Sequence, residues 1–136
     1  MRPFPTLLAA LAMLVLTGPA AFGFGQKPDG TERDPFADPA RSLPYLAYTL
    51  GELHYLAFAC EGNMAQQWRT RMIELLELEA PVSGNRRERL INAFNDGYQV
   101  QQRSRIRCGA EAEAERRALS VRGQELSEAL LASVLE

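Results

Sequence analysis

Between residues 43 and 135, apolar side chains recur every three or four positions in four successive stretches. Nowhere do they alternate with period two over the length of a strand. This pattern predicts an all-α chain. The first helix is expected from Leu43 or Pro44 to Cys60, with Ser42 as N-cap, Pro44 tolerated in the first turn, and a stripe of Leu43, Leu46, Leu50, Leu53, Ala57 and Cys60. Tyr48, Tyr55 and Ala59 lie nearly opposite that stripe, so this helix is apolar almost all round. It either sits centrally or exposes an aromatic strip.

Glu61-Gly62 breaks the pattern. Asn63 is the expected cap of a second helix, with Gln66 completing part of a capping box, and Trp68, Met72, Leu75, Leu76 and Glu79 mark its inner face up to Pro81. A third helix is expected from Ser83 or Asn85 to Arg107, carrying Leu90, Ile91, Phe94 and Tyr98 and ended by Gly109 in a left-handed conformation. The fourth covers about Glu111–Leu135, with Leu119, Gly123, Leu126, Leu130 and Val134 in line. Asp96-Gly97 falls within the helical period and reads as intrahelical rather than as a hairpin turn.

The N-terminus follows a different grammar. Arg2 precedes ten uninterrupted apolar residues, Leu7–Leu16, followed by Gly18, Pro19 and the small residues Ala20, Ala21 and Gly23. That is the form of a secretory signal peptide over residues 1–23, cleaved near 21–25; as a helix its apolar run rises only ~15 Å, too short for a stable membrane span. Residues 24–42, rich in Pro, Asp, Gly and Arg without apolar period, read as a disordered leader ahead of a helical domain at 43–136.

Export changes the meaning of the two cysteines. In an oxidising compartment Cys60 and Cys108 form one disulfide, which joins the ends of helices one and three without an unusual crossing if the four helices form an up-down-up-down bundle. Loss of Arg2 with the signal leaves 14 basic and 17 acidic side chains, a balance that gives no footprint for nucleic acid. Two cysteines and a single histidine make a zinc site improbable, and the chain carries no phosphate loop, no Gly-x-Ser-x-Gly, no His-Glu-x-x-His and no haem-attachment motif. The sequence therefore reads as non-enzymatic, without cofactor or metal.

The run Leu50-Gly51-Glu52-Leu53-His54-Tyr55-Leu56 with Cys60 is followed in order by Trp68-Arg69, Met72, Leu75-Leu76, Glu79-Ala80-Pro81, Arg89-Leu90, Ala93-Phe94-Asn95, Gly97-Tyr98 and Cys108. Together these resemble a family of small, uncharacterised exported proteins of alphaproteobacteria, of unknown function, with two well-separated cysteines. The resemblance implies a periplasmic location and a disulfide, and it transfers no catalytic residue. Ala57 departs from it, standing where many such proteins carry a basic residue.

Two candidate surfaces follow. On helix three the inner face changes from Leu90, Phe94 and Tyr98 to Gln101 and Arg105. With His54, Trp68 and Glu115, these last two are expected to form a polar cluster at the disulfide end, either a pocket for a small anion or peptide carboxylate or a structural network with an Arg105–Glu115 ion pair. Tyr45, Tyr48 and Tyr55 form an aromatic strip suited to a protein partner. Arg86, Arg87 and Arg89 crowd the first turn of helix three, where cations are unfavourable, which suggests either an electrostatic contact or a solvated helix start. The leading expectation is an envelope accessory or adaptor acting through contacts with a periplasmic or envelope protein; the alternative is a binder of small ligands.

Overall fold

The structure, a computed structural model, describes residues 38–135; the expected signal peptide, its cleavage region and the leader up to residue 37 lie outside the described residues. Four helices follow one another: α1 (Pro39–Glu61), α2 (Gln67–Glu79), α3 (Asn85–Ser104) and α4 (Ala110–Leu135), with a 3-10 turn at Gly62–Met64. No strand occurs among the described residues.

α1 starts earlier than its apolar stripe suggested. Asp38, not Ser42, is the cap: its Oδ1 accepts the amide of Ala40 at 2.9 Å, and Pro39 occupies the first turn, where a missing N–H costs nothing. Pro44 forgoes a single backbone bond near the helix start, so the helix runs through it, and Ser42 is buried within. Residues 39–42 thus belong to the helix rather than to a leader. The second helix also starts later than its pattern implies, at Gln67. Asn63 lies in the 3-10 turn, where its carbonyl accepts the Gln66 side-chain amide at 2.9 Å, and α2 begins without a side-chain cap.

α1 is the central element. Its buried residues point in every direction, and α2, α3 and α4 all pack on it. No α-carbon of α4 comes within 8 Å of α2 or α3. The closest partner is α3, because Gly51 and Gly97 let the two backbones touch: a Cβ on Gly51 would overlap the Phe94 carbonyl, and one on Gly97 the Tyr48 carbonyl. Pairings along the crossing (Leu43 with Leu90, Glu52 with Gln101, Cys60 with Cys108) make α1 and α3 run in the same direction. α4 runs opposite to α1, pairing Arg116 with Glu61 and Arg122 with Glu52.

The core divides along α1. Leu43, Ala47 and Leu50 meet Met72, Leu76, Ala80 and Leu90 at one end; Leu53 and Leu56 meet Ala112 and Leu119 at the other. Each fully buried leucine contributes ~1.5–3 kcal/mol. Arg87 reaches back to α2, donating to the carbonyls of Ala80 at 2.8 Å and Leu76 at 3.4 Å, while Arg86 pairs with Glu79 at 3.1 Å. These two arginines close the end of α2 against its dipole.

α3 ends at Ser104, three residues short of expectation. Arg105, at φ 55°, takes the left-handed position that was assigned to Gly109. The early stop lets Ile106 pack on the second core cluster and brings Cys108, in the connection to α4, within 4.9 Å of Cys60 between α-carbons. Gly109 instead opens α4, its carbonyl accepting the Glu113 amide. The disulfide joins Cys60 to Cys108 as expected, but it ties the end of α1 to the α3–α4 turn rather than to the last turn of a helix.

Candidate functional site

The polar cluster forms with a different membership. Gln101 is buried, and its Nε2 donates to Glu52 Oε1 and to Glu115 Oε1, each at 3.3 Å, so one amide bridges two carboxylates. Glu52 also pairs with Arg122 at 3.3 Å, its side chain only 8% exposed. Burial raises the Glu52 carboxyl above its ordinary range; Gln101 and Arg122 oppose the shift, and the Glu115 charge adds to it. The node links α1, α3 and α4 at a place where α3 and α4 backbones do not meet.

Of the five residues expected there, only Gln101 and Glu115 come together. Arg105 is exposed at the turn after α3 and forms no ion pair with Glu115. His54 lies beside α3 with its ring 5.7 Å from the rings of both Phe94 and Tyr98; its Nδ1 is buried without a partner. Burial, then the nearby Arg69, lowers its pKa, disfavouring the charged imidazolium. Trp68 stands on α2, packed against the core cluster of Leu53, Leu56 and Leu119, and shares no hydrogen bond with these polar groups. Glu52 and Arg122 were missed. The available signal was Glu52 itself, a lone acid inside the apolar run Leu50–Leu56 of a helix with no polar face to carry it.

The tyrosines also separate. Tyr45 and Tyr48 stack in parallel, centroids 6.4 Å apart, and the Arg122 guanidinium lies 5.8 Å from the Tyr45 centroid. Tyr55 is instead engaged edge-on with Tyr98 at 5.3 Å.

A feature absent from the sequence reading is an open cleft of about 360 Å³ between α2 and α4. α1 supplies its floor with Leu46, Leu50 and Leu53. The α2 wall is Trp68, Leu75 and Leu78, flanked by Arg71 and Glu74, which pair with each other at 2.9 Å. Ser120, Gly123, Gln124 and Ser127 form the α4 wall. Both serine hydroxyls donate to carbonyls of their own helix at 2.8 Å and the Gln124 amide donates to Glu128 at 2.8 Å, so the polar groups of this wall are engaged within α4. Beyond Trp68 and Ser120 a second recess continues along α4, lined by Glu113, Arg116 and Arg117. The cleft exists because α3 packs on the far side of α1 through Gly51 and Gly97, leaving the space between α2 and α4 uncovered.

Among the described residues no cluster of three or more His, Cys, Asp or Glu side chains is arranged to hold a metal ion. No helix among them is long and apolar enough to cross a membrane. No curated protein and no solved structure matches the chain. A family model described as "Protein of unknown function (DUF2385)" matches residues 39–133, from the first residue of α1 into the last turn of α4, and the chain belongs to that family.

Proposed function

We propose that this chain is an exported, non-enzymatic binding protein of the periplasm or envelope, and that its working surface is the cleft between α2 and α4. The observation that carries this reading is the cleft itself: about 360 Å³, floored and walled mainly by apolar side chains, and open to solvent. Leu78, on its wall, is 81% exposed, so the apolar lining reaches the molecular surface. Export is supported by the apolar run Leu7–Leu16 and by a disulfide that suits an oxidising compartment. The polar node is the weaker candidate for a site, since its members satisfy one another.

Trp68 is the sole tryptophan and stands in the cleft wall, so its fluorescence reports occupancy. Titration with a neutral apolar probe such as dodecanol is expected to shift its emission to shorter wavelength, and Leu78→Asp to move that titration to about tenfold higher concentration or beyond. An unchanged spectrum up to the solubility limit removes the cleft as a binding surface.

A second reading, an adaptor docking proteins through the aromatic strip, is favoured by the Tyr45–Tyr48 stack, whose outer member is 40% exposed. Capture of partners from periplasmic extract is then lost in a Tyr45→Ala, Tyr48→Ala variant and kept in Leu78→Asp. Equal recovery with both discards the strip.

A further inference from the structure

Resting on the cleft reading, we infer that the occupant is a single-chain amphiphile with a carboxylate head, its hydrocarbon chain along the cleft and its head in the recess beside Trp68 and Arg117. The first observation is the distribution of charge. At one end, around Leu46, Leu75 and Leu78, the lining is hydrocarbon, and the intervening Arg71 and Glu74 neutralise each other. At the other end the recess holds two arginines. Arg116 is engaged by Glu61 at 3.3 Å and Glu113 at 3.6 Å, whereas Arg117 has no carboxylate within ion-pairing distance among the described residues. Arg117, the guanidinium there with no ion-pair partner of its own among the described residues, is placed to receive a single negative charge on a chain lying in the apolar trough.

The second observation is Trp68 Nε1, a buried donor with no acceptor, on the residue that lines both cleft and recess. A buried N–H without a partner is unfavourable. The residue is half-buried and lines the recess, so its ring lies within reach of a head group bound there. An ammonium head group would meet Arg117 with like charge, and a hydroxyl head group would leave the guanidinium unmatched. A cleft of about 360 Å³ that is open to solvent has room for an alkyl chain laid along it.

The test uses dodecanoate, dodecanol and dodecyltrimethylammonium as monomers, read by Trp68 fluorescence and calorimetry. Dodecanoate should bind about tenfold more tightly than dodecanol, the margin of a charge-assisted hydrogen bond, with the ammonium weakest. Arg117→Ala should erase the preference for dodecanoate while leaving dodecanol affinity as it was. Leu78→Asp should weaken both by about tenfold or more, consistent with a carboxylate placed in the apolar end. Both residues are exposed, so circular dichroism should show an unchanged fold. Equal affinity for dodecanoate and dodecanol, or a preference that survives Arg117→Ala, overturns the head-group assignment but leaves the cleft reading standing. Failure of all three chains to bind overturns both.

Discussion

Gly51 of α1 and Gly97 of α3 each sit where the other helix's backbone fills the space a side chain would need. The obstruction is a carbonyl, which cannot rotate aside as a side-chain tip can. Gly51→Ala or Gly97→Ala should therefore lower stability by about 1–3 kcal/mol or more from overpacking, even after alanine's helix propensity returns ~1 kcal/mol. Gly123 gives the contrast. A Cβ there meets only Thr49 Cγ2 at 3.8 Å, an ordinary contact, so Gly123→Ala should stabilise by up to about 1 kcal/mol. Urea unfolding of the three variants checks the opposite signs.

The disulfide closes a chain segment spanning a sequence separation of 48 residues. On the chain-entropy account, its removal by Cys60→Ser with Cys108→Ser should cost about 4 kcal/mol. Intact mass of the purified, unreduced protein should be lower than that of the dithiol by two hydrogens. Free thiols in that material would count against the bond.

Glu52 and His54, two residues apart, should tilt the pH dependence of stability in opposite senses. The Glu52 carboxyl titrates above its ordinary 4.5 in the folded chain. From 4.5 up to its folded pKa the folded state holds a proton that the unfolded chain has released, so this group's contribution to stability falls as pH rises. His54 titrates below 6.5, so below that pH the unfolded chain binds the extra proton; its contribution is present above 6.5 and lost as pH falls. Glu52→Gln, which keeps an acceptor for Gln101, should remove the decline that begins near 4.5. His54→Phe should flatten the acid limb below 6.5 while keeping a ring against Phe94 and Tyr98. Denaturant midpoints between pH 4 and 8 separate the two; parallel curves for all three proteins would contradict both assignments.

Much of the scaffold was legible in the order of residues. Apolar spacing placed four helices, Pro81 and Glu61-Gly62 marked two of their ends, and two cysteines allowed one pairing. The helix ends that moved did so where local preference met a stronger demand. Asp38 with Pro39 made a better start than Ser42, and Arg105 took a strained conformation so that Ile106 and Cys108 could reach the core and Cys60. The polar cluster was half legible. Gln101 and Glu115 stood out as polar groups near an apolar face, whereas Arg105 shares a helical face with Gln101 only if α3 continues, and it does not.

The sequence by itself determined the periodicity, the helical class and the covalent tie, because each depends on residues close in the chain or on a single possible partner. Which side of α1 received α3 was decided only in three dimensions. Two glycines far apart in sequence allow a backbone contact that no side-chain pattern advertises. That contact sets α3 on one flank, brings Gln101 to Glu52, and leaves α2 and α4 with an uncovered apolar space between them.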